Sequence, residues 1–195
     1  MRRWFGFRRT CCSSFRGPTA RFAVTTPVRD ALASARSSAV HLEMRDSYMR
    51  DDPAFLAWQQ GHRLDPVDRT SWWRPWLDVV VAATARGVAM RRARIVSEPI
   101  SDYVRYEYDG TFTNVSAGEQ VRWLPRRRTV DLLVPGVDLW IFDNDLVIFN
   151  HFTGDGQWAD PGMELCRDSD VIKRCAAAFE AVWERAVPHE HYRPV

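Results

Sequence analysis

Apolar and polar positions change period several times along this chain, and the changes mark out its elements. From Val28 to Tyr48, residues Ala31, Ala35, Ala39, Leu42 and Met44 recur at roughly helical spacing with Arg and Asp opposite, which predicts a helix over 28–48. Asp51-Asp52-Pro53 reads as an N-cap followed by proline at the first helical position, and Gly61 stops a short helix carrying Phe55, Leu56 and Trp58. A third helix is expected in SWWRPWLDVVVAATARG, capped by Ser71 and ended by Gly87, with its proline in the first turn where a missing N–H costs little. The period then drops to two. Met90, Arg92, Arg94 and Val96 alternate with Arg91, Ala93, Ile95 and Ser97, so a strand is expected with one face polar enough to meet water or ligand.

Pro99 closes that strand. Ser101 and Asp102 open a helix expected to run through Tyr108 and close near Asp109-Gly110. Val121 to Leu124 is a short strand cut by Pro125, and Arg126 to Arg128 form a basic turn. The clearest unit is VDLWIFDNDLVIFNHF, residues 137–152, where two apolar runs meet at Asp143-Asn144-Asp145; an Asn-Asp pair between such runs predicts a hairpin. Gly154-Asp155-Gly156 is a further turn. The last helix starts at the N-cap Asp168 and runs toward Pro188, with Val171, Cys175, Ala178, Phe179, Val182 and Val187 along one stripe. Helices at both ends and strands between them define an α+β domain: a single mixed sheet with helices packed on one or both faces.

A chain of 195 residues that is 46% hydrophobic can bury one substantial core. It contains no run of 18 apolar residues, which excludes a membrane-spanning helix. Residues 1–39 hold eight arginines against one acid, Asp30, for a charge of +7; the remaining 19 cations and 24 acids leave −5. Residues 1–27 are therefore read as a flexible basic tail, which a start-site extension would explain, and 28–195 as one α+β domain. The mildly acidic domain argues against a general nucleic-acid surface, because neutralising phosphates needs clustered cations. Lys173 is the single lysine among 27 cationic residues, a codon bias of a GC-rich genome rather than an adaptation for binding. The arginine pairs at 2–3 and 8–9 lack the apolar segment of an export signal, so a cytoplasmic location is expected. Cysteines 11, 12, 166 and 175 have no zinc spacing and read as reduced thiols; no cofactor is expected.

Candidate chemistry is densest between residues 97 and 128. Glu98, Tyr103, Arg105, Glu107, Asn114, Glu119 and Arg126 mix charge with aromatic walls at the carboxyl end of a strand, where open α/β sheets place ligands. The competing reading is a solvated helix and loop stitched by surface ion pairs worth about 0–1 kcal/mol each. Trp72, Trp73 and Trp76 share a helix face, which favours core packing over stacking on a ligand. His189 and His191 lack a third metal ligand and read as a solvated tail. His151 could serve as a general base with Asp143 in a hydrolase, although no Ser or Cys stands in a nucleophile elbow.

The segments HLEMRDSY, DDPAFLAW, SWWRPW, RIVSEPISDYVRYEY, AGEQVRWLPRR, LWIFD and AVPHEHY, spread from Val28 to Tyr192, resemble a family of actinomycete proteins encoded beside helix-turn-helix regulators. The resemblance implies a regulatory or ligand-sensing domain whose partners are such a regulator protein and a small-molecule ligand. A second resemblance is to phospholipase D-like phosphodiesterases, which carry His-x-Lys-x4-Asp on a hairpin of this kind. Counting back from Asp143, Gly136 and Asp138 stand where the His and Lys would be. This implies a phospholipase D-like half-domain that has kept its frame and lost its nucleophile. The competing classes are a phosphodiesterase-like hydrolase using His151 and Asp143, and a DNA-associated accessory protein whose basic tail adds nonspecific affinity.

Overall fold

A computed structural model describes residues 12–14 and 26–195. In chain order the elements are β1 (Cys12–Ser14), α1 (Thr26–Ser34), β2 (Ser38–Glu43), α2 (Pro53–Gln59), α3 (Pro75–Ala85), β3 (Ala89–Val96), α4 (Asp102–Ser116), β4 (Gln120–Pro125), β5 (Asp138–Phe142), β6 (Leu146–Phe152), β7 (Trp158–Cys166), α5 (Ser169–Arg185) and β8 (Val187–Pro188). The strands form one sheet in the order β1-β7-β6-β5-β2-β3-β4-β8. β2, β3 and β4 are parallel and every other pairing is antiparallel, so the α+β class with a single mixed sheet is as expected. The tail expected over 1–27 lies outside the described residues, apart from Cys12–Ser14, paired with Glu164–Cys166, and the first residues of α1.

Both faces of the sheet are covered. On one, α1 and α3 supply Val28, Leu32, Leu77 and Val80 against Ala39, Met90, Trp140 and Phe142. On the other, α5 lays Ile172, Cys175, Phe179, Val182 and Trp183 over Val40, Leu42, Ala93, Ile95, Leu139 and Ile141. Consecutive residues of β5 are therefore all buried, because each face meets its own helical layer.

The hairpin and α5 match their expectations. Asp143 and Asn144 both adopt positive φ, 50° and 52°, as central residues of the tight turn that the Asp145 N–H closes on the Phe142 carbonyl, within a three-residue connection. Asp168 accepts from the N–H groups of Asp170 and Val171, capping α5. Other expectations need correction. The helix predicted over 28–48 ends at Ser34, and Ser38–Glu43 is the central strand β2, hydrogen-bonded to β3 on one side and β5 on the other. Burial on both faces removes the alternation that would have betrayed it. α3 starts at Pro75 with Arg74 at its N-cap, and Ser71 belongs to a 3₁₀ turn instead. α4 runs past Gly110 to Ser116, because Thr111, Thr113 and Asn114 are buried against the sheet. β7, which contains Pro161 and Gly162, carries no strand signal in the sequence and is fixed by pairing with β6.

Candidate functional site

Two polar arrangements stand out, one between the sheet and α4 and one at the carboxyl end of the parallel strands. The first is a buried charged layer. Glu43 accepts from Arg92 Nη1 at 2.5 Å and from Arg94 Nε at 2.5 Å. Arg92 continues to Glu119 through Nε, 2.8 Å, and Nη2, 3.3 Å, while Asn114 Nδ2 donates to the same carboxylate at 2.6 Å. Arg94 Nη2 is 3.4 Å from Glu107, and Arg74 reaches Thr113 and Asn114. The polar face expected of β3 is turned away from water: Arg92 and Arg94 are each 7% exposed. Their charges are matched inside the protein, because an unpaired buried guanidinium would be far more costly.

Protonation in this layer follows from burial and neighbours. Burial pushes the Glu43 carboxyl upward, but Arg92 and Arg94 outweigh it and hold it well below the ordinary carboxylate range. Glu107 is raised to about 7, chiefly by burial; Arg94 opposes the shift and nearby Glu43 adds to it. His41 stacks on Trp140 at 3.9 Å and its pKa is driven far down by burial. Its Nδ1 is 3.3 Å from Glu43, but a neutral ring without hydrogen-bond geometry makes that a proximity and not an ion pair.

The second arrangement is a cavity of about 260 Å³ where the loops after β2 and β4 meet the start of β5 and the end of β6. Arg126 and His151, two of the residues expected to carry chemistry, line it together with Arg45, Gly136, Asp138 and Asn150. Asp138 is 2% exposed; its Oδ2 accepts from the Tyr48 hydroxyl at 2.5 Å and its Oδ1 from the Met44 N–H at 2.8 Å. Burial raises its pKa to about 6 against those two hydrogen bonds. His151 Nε2 is 3.0 Å from Glu164. Arg126 is anchored by the Met44 and Ile95 carbonyls, Ser97 Oγ and Asp46.

The pocket expected from residues 98–126 is therefore not one pocket. Glu107, Asn114 and Glu119 belong to the charged layer, and only Arg126 reaches the cavity. Tyr103 packs among Tyr48, Phe55 and Tyr106. Glu98 accepts from the Tyr192 hydroxyl at 2.9 Å and lies 3.3 Å from Arg127. Arg105 is half-buried and acts electrostatically on Tyr192, outside both arrangements. Helix α4 separates these residues, since neighbours in sequence leave it in different directions.

Asp143 and His151 do not meet. In the hairpin register Phe142 pairs with Leu146 and Asp138 with Asn150, which puts Asp143 at the turn and His151 at the open end. Asp143 instead accepts from the N–H groups of Arg36, Ser37 and Ser38 and from Ser37 Oγ. Burial is the largest single influence and raises its pKa, but those donors together outweigh it and lower it to about 2. Arg45, Asn150, Glu43 and His41 were not singled out from the sequence for a site, because long-range pairing brings them to it. His189, expected in a solvated tail, is half-buried and accepts from Trp123 Nε1 at 3.2 Å. Trp76 lies in the core, with Trp72 and Trp73 packed against it. Cys166 and Cys175 are buried free thiols. No described helix is long and apolar enough to cross a membrane.

A mixed sheet covered on both faces, with a polar cavity at the carboxyl end of its parallel strands, defines an α+β domain of the open-sheet kind. The chain belongs to the family described as a domain of unknown function (DUF6879), which matches residues 27–194. No curated protein sequence matches it. Among solved structures it is similar to NucT from Helicobacter pylori, with 12% identity, TM-score 0.48, and coverage of 83% of this chain and 88% of the other. It is also similar to Nuc, a phospholipase D family member from Salmonella typhimurium, with 13% identity, TM-score 0.46, and coverage of 86% and 89%. A third is TrmBL2, an archaeal chromatin protein with a novel mode of DNA binding, with 14% identity and TM-score 0.45. That match covers 83% of this chain and spans about half, 49%, of the chromatin protein. Likeness at this level assigns neither activity nor ligand.

Proposed function

We propose that this domain is a non-catalytic, cytoplasmic ligand-sensing module that works with a helix-turn-helix regulator, and that its ligand enters the cavity at Asp138 and Asn150. One observation carries the non-catalytic reading. Where the phosphodiesterase motif has its nucleophilic His this chain has Gly136, and where the motif has Lys it has Asp138, whose two oxygens are occupied by Tyr48 and the Met44 N–H. A cavity wall so arranged can bind and orient a ligand but lacks the nucleophile of that motif. Asp143, the third member of the motif, is occupied as a cap for the loop before β2.

A hydrolase is the second reading, favoured by the His151–Glu164 contact of 3.0 Å on the cavity wall, an arrangement that orients a general base. Incubating the purified full chain with bis(p-nitrophenyl) phosphate between pH 5 and 8 separates the two. Release of nitrophenol at the blank rate is expected. Turnover that disappears in His151→Ala would replace the sensor by the hydrolase. Capture of the regulator by the tagged full chain from its native host tests the partnership.

A further inference from the structure

The two arginines on the cavity wall already have their opposites. Arg126 lies 3.2 Å from Asp46, and the Arg45 guanidinium is opposed by the Asp138 carboxyl, whose own oxygens are taken by Tyr48 and the Met44 N–H. An ionised guest would therefore enter without a counterion, at a desolvation cost that an uncharged one avoids. Two polar atoms on the wall remain open. Arg126 is held through Nε and Nη2, by Ser97, Asp46 and the Met44 and Ile95 carbonyls, so its Nη1 donors have no partner among the described residues, and the side chain is 41% exposed. His151 supplies the complement. Its Nε2 donates to Glu164 at 3.0 Å, which leaves Nδ1 of the neutral ring as an acceptor on a side chain 32% exposed.

From this we infer that the cavity binds an uncharged amide-type molecule, whose carbonyl accepts from Arg126 Nη1 and whose N–H donates to His151 Nδ1. The inference rests on the sensor reading of the same site. The apolar remainder of the molecule lies against Met44, Val134, Val137 and Phe152. A ketone would satisfy the arginine alone. A carboxylate would bring a charge with no free cation to receive it, and an amidinium would face Arg126 with like charge. Since a cavity of about 150 Å³ accommodates benzene, one of about 260 Å³ admits roughly ten non-hydrogen atoms.

Benzamide has that size and both groups, and three isosteres alter its polar end. Acetophenone keeps the carbonyl and lacks the donor, benzoate is an anion, and benzamidine is a cation without an acceptor. Titrated into the isotopically labelled full chain at about pH 8, where an imidazole is neutral, benzamide should shift the Arg126 Nε–H and His151 ring signals. It should also bind roughly tenfold more tightly than each of the other three, the worth of one hydrogen bond lost or one charge left uncompensated. His151→Phe keeps the ring and removes the acceptor. It should weaken benzamide roughly tenfold and leave acetophenone, which has no donor to lose, unchanged. The comparison of the four ligands on the unaltered chain stands whether or not the variant folds. Any isostere binding as tightly as benzamide would overturn the inference, as would unchanged benzamide affinity in a folded His151→Phe, the absence of any shift at the two side chains, or no benzamide binding at its solubility limit. None of these outcomes is turnover of a phosphodiester, which would instead overturn the non-catalytic reading.

Discussion

The Tyr48 hydroxyl and Asp138 Oδ2 are joined by a 2.5 Å hydrogen bond, which ties the loop after β2 to the first residue of β5. Both groups are buried, and burial with the neighbouring Asp138 pushes the Tyr48 pKa well above its ordinary value, so the phenol is a donor throughout the accessible pH range. Tyr48→Phe leaves Asp138 with the Met44 N–H alone. A loss of about 1–3 kcal/mol is expected in urea unfolding, the cost of stranding a buried acceptor. A loss within error would mean that water takes the place of the phenol.

The pH dependence of stability should carry the signature of Asp138. Its folded pKa of about 6 lies above the unfolded value of about 3.9, so between these limits the folded protein holds a proton the unfolded chain has released. The unfolded state then binds fewer protons, and stability falls as pH rises from about 4 to about 6, by at most about 3 kcal/mol. Glu107, raised to about 7, adds a decline of the same sign that reaches higher pH. Asp138→Asn should flatten the melting-temperature profile between pH 4 and 6. An identical slope in wild type and variant would show that the carboxyl does not hold its proton in the folded state.

Glu119 is 2% exposed and shared by Arg92 and Asn114. Removing one member of a buried pair strands the other charge, so Glu119→Ala is expected to cost about 3–5 kcal/mol. Unfolding midpoints measured in urea check this. A cost below about 1 kcal/mol would mean that solvent reaches Arg92.

Asp143 has a structural task at the far end of the hairpin. Three backbone N–H groups converge on its carboxylate, and Asp143→Ala should cost about 1.5–3 kcal/mol at neutral pH, the range for hydrogen bonds to a charged group. Because its folded pKa of about 2 is below the unfolded value, this contribution is complete above about pH 4 and is lost as pH falls toward 2. Wild type and variant should therefore converge in acid. A constant difference down to pH 2 would contradict the assignment.

Ile141 is 1% exposed beneath α5, and its opposite-facing neighbours Trp140 and Phe142 lie under α1 and α3. Ile141→Ala should cost about 2–5 kcal/mol, as expected of a cavity opened in a two-sided core. A value under about 1 kcal/mol would make the hairpin peripheral.

What the chain determined by itself is what depends on near neighbours. The hairpin turn was legible because few residues other than glycine accept positive φ as readily as the Asp143-Asn144 pair, and the start of α5 because Asp168 can cap only its own helix. Alternation in Met90, Arg92, Arg94 and Val96 fixed β3 as a strand with one polar face. Tertiary structure decided where that face points. Arg92 and Arg94 look like surface residues until β2 brings Glu43 beside them and β4 follows Glu119 into the same layer. The strand nature of Ser38–Glu43 was equally hidden: helical spacing and two-sided burial ask for similar apolar residues, and only pairing with β3 and β5 separates them. The cavity needed both. Its residues come from positions 44–45, 126, 134–138 and 150–152, and no local pattern could join them before the sheet fixed their order.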